Sequence, residues 1–177
     1  MSAPFTAHSD LHRDYQLLDK PPPISDYLNL RLLSGLSPRS GAQAKHALSG
    51  SFFVCHIVHT PTSTPVAMGR VIGDGGWYFL IADMAVLPDH QKKGLGGVIL
   101  RRLLDQIKQK VVEVAKEDKD LGNESLQAYV TLGADEPGRR LYAAHGFVET
   151  APHTLGMYIM MDGTRDGNST LDEPTAA

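Results

Sequence analysis

Cysteine is almost missing from this chain: Cys55 stands alone among 177 residues. No internal disulfide can form, and a reducing compartment is the expected setting. Cys55 lies in the apolar run SFFVCHIVHT, which makes it a core thiol and not a nucleophile. Long apolar runs are missing too. The longest, Trp77 to Leu87, is interrupted by Asp83 and is about half of a membrane span. The first residues, MSAPFTAHSDLHRD, contain no apolar h-region, carry acids and are not rich in arginine, so neither a secretory leader nor a transit peptide is expected. The expectation is a soluble, cytoplasmic protein with no membrane partner. Positive charge is not in excess, since the formal net charge is −3, which argues against nucleic acid as a partner. No internal repeat is visible. What remains is ordinary for a globular domain, with 42% hydrophobic and 21% charged residues and enough length to bury a core.

The most informative stretch runs from Ile81 to Ile107, IADMAVLPDHQKKGLGGVILRRLLDQI. An apolar strand holding one acid, Asp83, meets Pro88 and a polar set, and then Gly94-Leu95-Gly96-Gly97. After it Val98, Leu100, Leu103, Leu104 and Ile107 recur at helical steps. Strand, glycine loop and helix follow one another. Glycines let a backbone approach a ligand closely, and the first turn of a helix leaves N–H groups without intrahelical partners. With the positive end of the helix dipole, these donors suit a pyrophosphate. The spacing excludes a P-loop, and a dinucleotide fingerprint fails at Ile99, where its last glycine is required.

The pattern Gln91-x-x-Gly94-x-Gly96 resembles the acyl-CoA binding motif of the GNAT superfamily of N-acetyltransferases. Leu141-Tyr142-Ala143-Ala144-His145-Gly146-Phe147 is similar to that family's second signature, and the two stand in the family's order. The resemblance covers about residues 14 to 161. It implies an α/β (α+β) fold in which helices flank both faces of a mixed, mostly antiparallel sheet whose fourth and fifth strands are parallel and splayed. Residues 1–13 are expected to be a loose leader, 14–161 a single N-acetyltransferase domain and 162–177 a flexible tail.

Patterning along the chain agrees. Tyr15 to Leu18 reads as a short strand ended by Lys20 and three prolines. A helix follows from Ser25 to Gly35, then a second from Ser37-Pro38 to Gly50. Ser51 to Thr60 is apolar on both faces and is expected to be central. Val66 to Ile72 turns through Gly73-Asp74-Gly75-Gly76 into Trp77 to Leu87. Beyond the glycine-loop helix and a break at Gly122, Leu126 to Leu132 must run parallel to the fourth strand, because a crossover helix joins them. A short helix from Pro137 to His145 and strands at Phe147–Glu149 and Gly156–Met161 close the domain.

The resemblance also implies site residues. Backbone amides of Lys92, Lys93, Gly94, Leu95, Gly96 and Gly97, with Gln91 at the motif's first position, would hold the pyrophosphate of acetyl-CoA, the cosubstrate, and no metal is expected. Met84, Ala85 and Val86 would pair with the pantetheine arm through their main chain, and an N–H near Ala85 or Val86 would polarise the thioester. Tyr142 falls on the family's tyrosine that protonates the departing sulfur, a role suited to a phenol. Lys92, Lys93, Arg101, Arg139 and Arg140 are candidates for the 3′-phosphate. Asp83, an acid inside an apolar strand, should face the cleft as a base or bond to the main chain, because a buried unpaired carboxylate is costly. Asp74, His56, His90, His145 and His153 are alternatives for the base. Trp77, Tyr78 and Tyr158 are the expected acceptor-lining residues, whereas Phe79 is expected in the sheet core.

The first reading is therefore an acetyl-CoA-dependent N-acetyltransferase acting on the primary amine of a small molecule, compatible with a homodimer. A protein N-acetyltransferase acting on a lysine or N-terminal amine is the alternative. A CoA-binding module without catalysis is a third, which the presence of Tyr142 and Asp83 speaks against.

Overall fold

The computed structural model describes residues 11–118 and 125–161. The expected tail, most of the expected leader and the break at Gly122 lie outside the described residues. Two compact units make up the chain, Met1–Leu141 and Tyr142–Ala177.

In the first unit, β1 (Tyr15–Leu18) is followed by α1 (Ile24–Leu33), which begins directly after the prolines. A proline at the N-cap has helix-compatible φ and no donor to lose. Next comes α2 (Gly41–Ser49). Its start lies three residues past the expected Ser37-Pro38, because Ser40 and Gln43 form a reciprocal capping box, with bonds of 3.1 and 3.0 Å. Then come β2 (Phe53–His59), β3 (Thr64–Gly73), β4 (Tyr78–Val86), α3 (Leu95–Glu117) and β5 (Tyr129–Leu132). The last helix, α4 (Glu136–Ala144), crosses into the second unit.

The sheet order is β1-β2-β3-β4-β5. Its first four strands are antiparallel and β5 runs parallel to β4. The run expected to be central, β2, is interior, but β3 is the middle strand. Helices cover both faces. On one face Tyr27, Leu30 and Ala44 of α1 and α2 pack against Met68 and Ala85. On the other, α3 buries Leu95, Val98, Ile99, Leu100, Leu103 and Ile107. Phe79 is fully buried against Phe52, with ring centroids 5.2 Å apart. Cys55 is also fully buried, and burial pushes its thiol up to about 12, as a core thiol requires.

One irregularity matters for function. Met68 pairs with Ala85 and Arg70 with Ala82, so Asp83 and Met84 together face Gly69 alone. This is a β-bulge, and Asp83 takes the left-handed φ of 53° that it needs. Gly69 makes room for it. A Cβ there would lie 2.7 Å from both Ile99 Cγ2 and Met84 Sδ. Gly69→Ala is expected to destabilise by about 1–3 kcal/mol through overpacking, read as a lower urea midpoint with an unchanged slope.

In the second unit α4 ends in a left-handed turn at Gly146, φ 88°, with Phe147 N bonded to Tyr142 O at 3.1 Å. The strands expected at Phe147–Glu149 and Gly156–Met161 do not form. Leu155, Met157, Tyr158, Ile159, Met160 and Met161 are 63–95% exposed. Composition gives such a segment the capacity for a strand, but a strand persists only where another supplies its ladder.

Candidate active site

Strand β4 outlasts its parallel neighbour. Pairing with β5 runs from Tyr78↔Tyr129 to Ile81↔Leu132 and stops, while β4 continues to Val86. Leu87 N donates to Val66 O at 2.9 Å on the β3 side. Main-chain direction alternates along a strand, so Met84 and Val86 turn their N–H and C=O toward the edge that β5 has left. One of those groups has a partner, as Gln91 Nε2 donates to Val86 O at 3.1 Å.

That open edge leads directly into the glycine loop. Pro88 to His90 form one 3-10 turn, Lys92 and Gly94 take φ of 58° and 80°, and α3 begins at Leu95. The first internal bond of the helix is Val98 N to Gly94 O, 3.2 Å. Leu95, Gly96 and Gly97 therefore present amides with no intrahelical acceptor at the positive end of a 23-residue helix. Glycine is needed at 94 for its φ. At 96 a Cβ would be a close fit, 3.3 Å from Leu141 Cδ2, whose end can shift, and in ordinary contact with Val86 Cγ2 at 3.8 Å. Lys92 and Lys93 are exposed, and Lys93 Nζ bonds to Asp89 O at 2.9 Å. A strand edge with spare amides followed by a cluster of helix-opening amides fits an amide-bearing arm that ends in a diphosphate.

Asp83 is clamped. Arg31 Nη1 pairs with Oδ1, Arg70 Nε with Oδ2 at 2.5 Å, and the Tyr27 hydroxyl donates to Oδ2 at 2.5 Å. Arg31 also donates from Nε and Nη2 to Ser37 O, and Arg70 from Nη1 to Ser51 Oγ. One carboxylate thus ties β4 to α1, β3 and the loop after α1. Burial alone pushes its pKa up. The bonds from Tyr27 and Arg70 and the charges of Arg70 and Arg31 outweigh this, so it lies below the ordinary 3.8. Such a group is a poor base. Taking a proton from an ammonium near pKa 10 would be uphill by about 6 units, or roughly 8 kcal/mol. The geometry suits an anchor better than the base expected from the sequence. Tyr27, Arg31 and Arg70 were not singled out in the sequence, although an arginine inside VAMGRVIG and another inside LNLRLL signal paired charges.

The other candidates are scattered. Tyr78 opens the strand that holds Asp83, about 16 Å from it at 3.3 Å per residue, and Trp77 lies just before the strand begins. There Tyr78 meets Trp77 and Tyr129, with ring centroids 5.6 and 5.4 Å apart. Asp74 accepts from the amides of Gly76, Trp77 and Tyr78 and holds the hairpin turn. His56 is buried with Nδ1 on Lys20 O, and burial lowers its pKa. His90 stands beside the loop, 2.9 Å from the Tyr15 hydroxyl and edge-on to His59. In the second unit Tyr142 is buried and packs edge-on to Phe147, and Tyr158 is 83% exposed.

Residues 49–149 match the family model described as an acetyltransferase (GNAT) domain. A solved structure of a probable acetyltransferase of unknown function from meticillin-resistant Staphylococcus aureus is 32% identical, covering 82% of this chain and 98% of that one with a TM-score of 0.71. The ribosomal-protein-S18-alanine N-acetyltransferase of Escherichia coli shares the fold at 16% identity, with 88% of each chain covered and a TM-score of 0.59. GCN5-related N-acetyltransferase 1, chloroplastic, from Arabidopsis thaliana is 32% identical over 76 residues, 43% of this chain and 39% of that protein. The match therefore spans well under half of the plant relative.

Proposed function

The chain belongs to the GNAT acetyltransferase family, and we propose from this that it transfers an acetyl group from acetyl-CoA to the primary amine of a small molecule. One observation carries the reading: the open edge of β4, at Met84 to Val86, runs straight into the helix-opening amides of Leu95 to Gly97. An extended acyl arm and its diphosphate need those two features end to end.

Acetyl-CoA supplies the acyl group as a thioester, which an unprotonated amine attacks with release of the thiol. The amides from Lys92 to Gly97 hold the diphosphate, with Gln91 bracing the loop against Val86 O. The Val86 N–H, turned to the open edge, is the donor for the thioester oxygen as it gains charge. Tyr142 holds the proton for the departing sulfur. The ammonium proton passes to water, and Asp83 serves by fixing the bulge that aims Met84 and Val86.

Gly96 tests this. Gly96→Val is expected to weaken CoA binding by more than about tenfold, because a branched side chain at the first turn obstructs the approach of a phosphate. Gly96→Ala, which the mobile end of Leu141 can accommodate, should fall between. Calorimetric titration with CoA on variants of native circular dichroism reads the effect. Unchanged affinity in the valine variant rejects the cradle.

A further inference from the structure

The cluster around Asp83 holds more positive charge than negative. Two guanidiniums meet a single carboxylate, and neither arginine has a second ion pair among the described residues. The side chains of Arg31, Arg70 and Asp83 are only 7%, 14% and 12% exposed, so the surplus charge sits where water compensates it poorly. Arg31 is fully engaged, with Nη1 on Asp83 and Nε and Nη2 on Ser37 O. Arg70 is not. Its Nε goes to Asp83 and its Nη1 makes a 3.3 Å bond to Ser51 Oγ, while Nη2 has no acceptor among the described residues.

Arg70 also stands at a boundary. Alternation puts Met68, Arg70 and Ile72 on one face of β3, beside Ala85, Ala82 and Leu80 of β4. At Met68 and Ala85 that face is sealed beneath α1 and α2, at 1% and 3% exposure. Past Arg70 it opens, with Ile72 at 36% and Tyr78 and Tyr129 at 44%. A guanidinium with a spare edge thus lies where a covered sheet face becomes an open apolar floor.

We propose that Arg70, held by Asp83 and backed by Arg31, binds an oxyanion on the acceptor, so that the substrate is an amine also carrying a carboxylate or a phosphate group. This deepens the acetyl-transfer reading and rests on it. Arg70 neighbours Ala82, just beyond the last β5 pair at Ile81, and the Val86 amide lies about 13 Å further along β4 at 3.3 Å per residue. The acceptor therefore follows the edge that β5 has left, the face at Ala85 being covered, and carries a long chain between its anion and the reacting nitrogen.

Matched pairs of acceptors test it: an ω-amino acid against its amide, and an amino-alcohol phosphate against the free amino alcohol, with thiol release as readout. The charged member of at least one pair is expected to show about 10–100-fold higher kcat/KM, mostly through KM. Arg70→Lys should reduce that ratio and Arg70→Gln should bring it near one. Equal rates within both pairs overturn the proposal, and the pair that responds tells carboxylate from phosphate. A second measurement needs neither turnover nor a variant. The wild-type arginine Nε–Hε signals are followed by NMR during titration with the N-acetylated acid, the N-acetylated phosphate and their neutral counterparts. A saturable shift with an acid or a phosphate but not with its neutral partner supports the site, and no shift with either overturns it. Saturable binding together with failure to acetylate any amine would leave the anion site standing and remove the acetyl-transfer reading.

Discussion

Asp83→Asn is expected to lower the stability of the protein by about 3–5 kcal/mol, the cost of removing one partner from a buried ion pair. Here the loss is compounded, because both Arg31 and Arg70 depend on this carboxylate. Against a typical domain stability of about 5–15 kcal/mol, the variant should unfold at much lower urea. Arg70→Met should cost less than Asp83→Asn. It leaves Asp83 paired with Arg31 and brings the cluster to neutrality, whereas the asparagine leaves two guanidiniums facing each other. The opposite order would mean that the charge count has been misjudged. The pH dependence follows from the direction of the shift. The folded pKa of Asp83 lies below its ordinary 3.8, so its contribution is fully present above about pH 4 and is lost as pH falls through the folded value. Urea midpoints between pH 7 and pH 2 should show this acid limb in the wild type and a shallower one in Asp83→Asn. Identical limbs would assign acid sensitivity to other carboxylates.

The parts of the fold that were legible in the sequence are those fixed by neighbours in the chain. The β4-to-α3 turn could be read because its strand, its glycines and its helical repeat are consecutive, and the parallel run of β5 follows from the long helix between the strands. The start of α2 was misplaced because Ser37-Pro38 is the louder signal, although Ser40 and Gln43 make the bonds that cap the helix. The strands expected after α4 show the limit of composition. The segment from Leu155 to Met161 is apolar enough for a strand, but a strand is defined by its partner. The site divides in the same way. The glycine loop was visible, yet the company of Asp83 was not, since Arg31 and Arg70 lie 52 and 13 residues away. The sequence said only that such an acid needs a partner, and it placed Trp77 and Tyr78 near that acid on strand membership alone. Five residues along a strand are about 16 Å, which is why the aromatic end of β4 and its charged end are separate places.

Tyr142→Phe should reduce kcat by roughly 10²–10⁴-fold, the range for losing a positioned general acid, while leaving CoA affinity within about twofold. Without help the sulfur leaves as a thiolate; a proton delivered in the same step lets it leave as the thiol and favours forward collapse of the tetrahedral centre. In the proposed reading main-chain groups from Met84 to Gly97 hold the CoA arm and diphosphate, so a missing phenolic oxygen should not loosen them. The effect should therefore fall on kcat and kcat/KM together, as expected for an interaction made only in the transition state. Stability provides the control. The ring of Tyr142 is buried and packs edge-on to Phe147 at 6.1 Å, and phenylalanine keeps that packing. The substitution should then cost no more than about 1–2 kcal/mol for the lost hydroxyl bond. A fall in kcat with little change in unfolding midpoint assigns the hydroxyl to chemistry. If CoA affinity, turnover and stability all fell in parallel, Tyr142 would be a packing residue of α4 and the proton would have to come from elsewhere. A thioester analogue with a more acidic thiol sharpens the comparison: its leaving group needs less help, so the difference between wild type and Tyr142→Phe should shrink toward one.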